Sequence, residues 1–344
     1  LNRSAGAKMG FLDFFSKRRK PADASAPKPS LPPAPEYPEP FPRKGRTVHP
    51  DWVGICEWAI ENVPPDQLDR FFDALLVRWL SEMADLLDNQ YTVYSTQRAL
   101  FLTEDVGEDV EKIVRYADSL MERVPREFPG LRRGGIQGRG VFLQFEGRDL
   151  YLEYASHFLG PGTFGASGAM MVNKGYPHVV LKPMAFETIK ATMAHEVLHV
   201  FTSGLPMPAW LNEGLAQRME SLSDEMVWRE PAHRSKGDAS RVWNEDSIKD
   251  FWSGNSFHMP GEIQLASYGL ASELSDSLAM DGERFQEYIT LADWRDGGEA
   301  AMLQCFGMGL SAAMNEILGP GNWGYLPKMQ KVDLRVTPYE PPTS

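Results

Sequence analysis

The chain has 344 residues, 42% hydrophobic and 24% charged, with a formal net charge of −12 and a pI near 5.1. That length and composition suit one large domain, or a domain with an appendage, around a substantial core. The acidic balance excludes a general nucleic-acid binder, which needs a concentrated basic surface to displace counterions.

The charge is uneven: residues 1–46 carry ten Lys/Arg against four Asp/Glu, so this stretch is +6 and the remainder −18. The run "MGFLDFF" is broken by Asp13 and too short for a signal-peptide core, and no stretch approaches the roughly 20 apolar residues that span a bilayer. With "FLDFFSKRRK", the chain could still rest weakly on an acidic membrane surface, aromatics inserted and cations toward lipid phosphates. Between Pro21 and Pro42, nine of 22 residues are proline, which removes backbone donors and favours an extended tether, with a PxxP docking ligand as the alternative. Residues 1–47 are therefore read as a disordered basic, Pro-rich tail and linker. Cys56 and Cys305, the only cysteines, lie outside any CxxC spacing, so neither a disulfide framework nor a thiolate metal site is expected and a cytoplasmic setting fits.

Residues 48–87 form a helical lead-in, with Trp52, Ile55, Trp58 and then Phe71, Phe72, Leu75, Leu76, Trp79 and Leu80 at helical spacing. Residues 88–203 read as an α/β subdomain: a β-rich stretch at 91–104, an amphipathic helix with Val110, Ile113, Val114, Ala117, Leu120, Met121 and Val124 on one face, and strands at 140–147 and 178–183. A helix over 187–203 and another over 209–221 follow, and the pattern stays helical through 204–330, with one or two helices from Tyr268 onward. Residues 331–344 are a loose end. The fold expected is α+β: a small mixed sheet with helices, then an all-helical C-terminal subdomain.

The stretch "AHEVLHVFTSGLPMPAWLNEGLAQ" (194–217) carries the chemistry. His195 and His199 are four residues apart, so on a helix their rings stand one turn above the other and can meet one ion. Glu196 lies about 100° around the helix from His195, able to reach a water on that ion without being a ligand. Gly204 stops the first helix, Pro206 and Pro208 forbid its continuation, and Glu213 falls one turn into the second, where it can face back as a third ligand of a His₂Glu zinc. Ala194, Val197, Leu198, Val200 and Phe201 surround the pair with apolar side chains, and buried histidines beside acids need a partner.

"HEVLH" followed by "PAWLNEGLA" resembles the gluzincin metallopeptidases, within them the short-spaced peptidase MA-like group, over about residues 88–325. The resemblance implies a zincin-type active-site helix, one Zn²⁺ held by His195, His199 and Glu213, Glu196 as catalytic base, and a peptide or protein as substrate. The metzincin pattern does not fit, because Thr202 and Leu205 stand where its glycine and third histidine would be. In gluzincins a cleft strand binds substrate backbone, and "GASGAMMVN" (165–173) sits where it would be, making Gly165, Gly168 and Ala169 candidates for substrate binding or simply loop residues. Met171 and Val172 occupy the region of the glutamate that holds a free amino terminus in aminopeptidases, so the resemblance does not extend to exopeptidase action. Related enzymes take an oxyanion donor from the helical portion; Tyr268, read as opening its helix, is the first choice here and His258 the second.

The function expected is zinc-dependent peptide hydrolysis. Two alternatives stand beside it: a retired scaffold acting as a binding protein, and a zinc amidase with one non-peptide or protein substrate.

Overall fold

The computed structural model describes residues 35–88, 90–131, 138–158, 168–223 and 242–325. The basic aromatic segment, Gly165 and the C-terminal 331–344 lie outside the described residues. The fold is α+β, with eleven α-helices, a two-stranded sheet and a five-stranded mixed sheet among the described residues. No described helix is long and apolar enough to cross a membrane. The described residues fall into two compact units, one within Leu1–Glu122 and Arg133–Ile189, the other within Arg123–Arg132 and Lys190–Ser344.

In the first unit, residues 37–48, read from sequence as linker almost to their end, are ordered. Their aromatic and buried residues give the reason: Tyr37 packs edge-on to Trp58, the Arg78 guanidinium lies over Phe41 and donates to the Tyr37 and Glu39 carbonyls, and Thr47 and Val48 are fully buried. A small antiparallel pair, β1 (Arg43–Lys44) and β2 (Thr47–Val48), turns at Gly45, whose φ of +57° suits glycine. Two helices follow, α1 (Trp52–Asn62), capped by Asp51, and α2 (Leu68–Leu86), separated where Pro64 and Pro65 deny backbone donors.

The main sheet comprises β3 (Thr92–Ser95), β4 (Ala99–Thr103), β5 (Gly140–Gln144), β6 (Ala169–Val172) and β7 (His178–Leu181), in the order β3-β4-β5-β7-β6. Its central strands β4, β5 and β7 run parallel and are buried throughout, as their unbroken apolar character requires, while β3 and β6 close the sheet antiparallel. Helix α3 (Glu108–Glu127) lies between β4 and β5 in sequence and buries all seven residues of the face read from its periodicity. A short helix, α4 (Arg148–Ser156), had no clear periodic signal; it is tied back by a Glu153 carboxylate that accepts from the Arg46 backbone and guanidinium.

The described secondary structure of the second unit is helical throughout. Helix α5 (Phe186–Thr202) enters it at Lys190, and α6 (Ala209–Ser223), α7 (Ser247–Ser253), α8 (Glu262–Ala279), α9 (Gly282–Leu291), α10 (Glu299–Phe306) and α11 (Leu310–Leu318) complete it. Helix α6 packs along α8, and Gly214 makes the approach close: a Cβ there would overlap the Ser275 hydroxyl and lie 2.5 Å from the Ala271 carbonyl. Helix α8 begins six residues before Tyr268, because Glu262 to Ala266 are good helix formers behind Gly261, so Tyr268 stands in the second turn rather than at the opening.

Candidate metal centre

The corner between α5 and α6 sets the site. Gly204 takes a φ of +77°, the left-handed conformation that ends a helix, and the Leu205 amide donates to the Thr202 carbonyl. Pro206 and Pro208 keep the chain extended for a few residues, the Pro206 carbonyl accepts from the Trp294 amide, and the Pro208 carbonyl accepts from Asn212 to start α6. Trp210, fully buried, locks the start of α6 by donating from its indole to the Gly297 carbonyl.

This corner brings His195, His199 and Glu213 together, with one ligand atom of each within 4.8 Å of the others. The His195 Nε2 lies 3.4 Å and the His199 Nε2 3.6 Å from the same oxygen, Glu213 Oε2. That oxygen is buried and accepts no hydrogen bond. A buried carboxylate oxygen without a donor is costly, and these separations match the edge of a tetrahedron with bonds of about 2.0–2.1 Å, which is roughly 3.3 Å. The donor set therefore fits a metal ion, and His195, His199 and Glu213 can hold one.

Asn212 fixes which nitrogen of His199 faces the centre. Asn212 Oδ1 accepts from the Thr202 hydroxyl at 2.7 Å and lies 3.1 Å from His199 Nδ1. As an acceptor it places the ring proton on Nδ1 and leaves the Nε2 lone pair toward Glu213. On His195, Nδ1 faces Gln217 Nε2 at 3.4 Å and Glu220 Oε2 at 3.9 Å. The Gln217 amide nitrogen can only donate, and the Glu220 carboxylate lies beyond hydrogen-bond distance, where it acts on His195 through its charge. Sequence reading missed Asn212, Gln217 and Glu220; the spacing of 213, 217 and 220, which is one face of a helix, was the available signal.

Electrostatics agree with a cation site. Burial pushes both imidazoles down, but the Glu213 carboxylate, joined by Glu220 at His195, more than reverses it, so both histidines are raised. Burial pushes Glu213 up, and the two histidines outweigh it and hold the carboxyl well below its usual range. A metal and a proton thus compete for the same nitrogens.

Glu196 is half-buried and stands outside the three-atom group, yet its charge acts on His195, His199 and Tyr268. The Tyr268 ring lies 6.4 Å from that of His195 and packs edge-on against Phe257. Burial, then the charges of Glu213, Glu196 and Glu220, raises its phenol, so it remains an O–H donor. His258 is exposed on the 3₁₀ turn Asn255–His258.

Gly168 and Ala169 belong to the other unit. Ala169 begins β6, which pairs with β7 alone among the described strands, and the Gly168 carbonyl accepts from the Lys182 amide. Gly168 is fixed by packing too, since a Cβ would meet Met184 Sδ at 2.6 Å.

No protein-family model matches the chain, and no curated protein shows significant similarity to it.

Proposed function

We propose that this chain is a zinc-dependent peptidase of the gluzincin kind, hydrolysing a peptide or protein. The observation that carries the reading is the Glu213 oxygen, buried without a donor and faced by two imidazole nitrogens at 3.4 and 3.6 Å, with a second carboxylate beside the group. A His₂Glu donor set suits zinc, which when bound would polarise a carbonyl and make water acidic enough to yield hydroxide near neutrality.

The chain's own residues divide the remaining work. Glu196, free of the ligand set, takes the proton of the attacking water and returns it to the leaving nitrogen. Tyr268, kept protonated by burial and by the neighbouring carboxylates, donates to the oxyanion that forms on the carbonyl oxygen. Asn212 holds the His199 imidazole in the ligating tautomer. The buried Val197, Leu198 and Leu215 keep bulk water from the ligand side chains.

Glu196→Gln tests the assignment. The variant should hold one zinc per chain and hydrolyse a peptide library on the order of 10²–10⁴-fold more slowly than the native chain. Full zinc occupancy with hydrolysis at the native rate in this variant would remove Glu196 as the base. A native chain that binds zinc and cuts no member of the library would favour the single-substrate amidase or binding-protein readings.

A further inference from the structure

A cavity of about 310 Å³ lies in the first unit, and no residue of the metal group lines it. Its walls are aromatic: Trp52, Trp79, Tyr154 and Phe158 contribute, with Trp52 and Trp79 packed edge to face at 5.3 Å and Tyr154 against Phe158 at 5.1 Å. Gly175, at a φ of +88°, leaves the room that Trp52 occupies, since a Cβ there would overlap the indole.

Two lysines, Lys44 and Lys174, line the same cavity, Lys44 exposed and Lys174 half-buried, and neither ammonium forms an ion pair or hydrogen bond with another described residue. Lys174 is half-buried, and burial lowers its ammonium below the ordinary lysine range. The one acid in the lining, Asp51, is already engaged as the cap of α1, accepting from the Gly54 amide.

The lining histidines add no charge. His178 gives its Nδ1 proton to the Tyr176 carbonyl and accepts the Tyr154 hydroxyl at Nε2, both at 2.7 Å. Thr47 donates its one hydroxyl proton to the Lys44 carbonyl, so the 2.7 Å contact with His49 Nε2 is an N–H donated by the ring, and His49 Nδ1 remains an acceptor. Burial holds His178 at about 4 and, with His157 and Lys44 nearby, His49 at about 3. The cavity is thus an aromatic chamber with neutral histidines, whose charged lining groups are the Asp51 carboxylate and the Lys44 and Lys174 ammonium groups.

We propose that this cavity is a binding site for a small planar anion, an aromatic ring carrying a carboxylate or phosphate, with the ring between the aromatic walls and the anion on Lys44 and Lys174. Aromatic faces favour a flat apolar body, an unpaired half-buried ammonium favours an anion, and the volume is at the lower end for small-molecule sites.

Calorimetric titration of the full chain with indole-3-propionate, a ring of this class with an N–H for His49, tests it against neutral indole and against propionate. Indole-3-propionate should bind with a Kd of about 1 mM or tighter, and each neutral or ring-free control at least about tenfold more weakly. Lys44→Met and Lys174→Met should each weaken it about fivefold or more, Lys174→Arg should retain it, and His199→Ala, in the other unit, should leave it unchanged. Circular dichroism on each variant separates lost binding from lost folding. Absence of binding at about 10 mM, indole binding as tightly as its acid, indifference to both lysine substitutions in folded variants, or loss in His199→Ala would each overturn the site.

Discussion

Glu196 and Glu213 stand beside the same two imidazoles and differ in what surrounds their oxygens. Glu213 has a buried oxygen facing two nitrogens, whereas Glu196 is half-buried and acts on the pair only through its charge. The first fits a metal ligand, and the role proposed for the second is proton exchange with a substrate. The supporting residues can be separated in the same way. Asn212→Ala should weaken zinc binding by about 10–100-fold, read by competition with a chelator, because the His199 ligating tautomer loses its acceptor. Glu213→Ala should lose zinc altogether; a variant that kept stoichiometric zinc would take Glu213 out of the ligand set. The two histidines and Glu213 were legible in the sequence as a group able to hold a metal, because shared ligation needs fixed spacing. Asn212, Gln217 and Glu220 were not, since an amide or carboxylate that orients a ring can come from several positions on a facing helix.

At the scale of elements, the α6–α8 contact decides where Glu213 points. Gly214 follows the ligand directly, and any side chain there meets Ser275 and the Ala271 carbonyl. Gly214→Ala should therefore destabilise the chain by about 1–3 kcal/mol in urea denaturation, as overpacked sites do, and weaken zinc binding as well. A loss of stability with unchanged zinc affinity would show that α6 can shift without moving its carboxylate. Helices with long periodic faces, such as α3, were readable from their apolar spacing, as were α5 and α6 from the Gly-Leu-Pro break. The start of α8 was not, because Gly261 and the exposed Glu262 and Leu265 give no apolar stripe before Tyr268. Strand β6 was legible only as a glycine-bearing segment; four residues paired on one side carry little periodicity of their own.

For the molecule as a whole, composition alone set the class, and alternating strand and helix patterns followed by unbroken helix set the α+β order. What composition misjudged was the end of the Pro-rich stretch, where Tyr37 and Phe41 gain more by packing on Trp58 and Arg78 than proline loses in backbone donors. Stability toward acid is a property of this scale. His178, 1% exposed in β7, titrates at about 4 in the folded chain against 6.5 in an unfolded one. Between those values the unfolded chain binds the extra proton, so stability is full above about pH 6.5 and falls as pH drops toward 4, by on the order of 3 kcal/mol for this residue. Urea midpoints at neutral pH and near pH 4.5 should differ accordingly, and His178→Gln should reduce the difference without abolishing it, because His49, held at about 3, acts in the same sense; an unchanged difference in the variant would take His178 out of the acid sensitivity.

The Thr202–Asn212 hydrogen bond joins the last residue of α5 to the first turn of α6 using protein atoms alone. One amide oxygen thereby closes the corner and also meets His199 Nδ1 at 3.1 Å. The ordering entropy of the corner is then met by the chain's own hydrogen bonds during folding, so an ion held by these residues would not have to supply it.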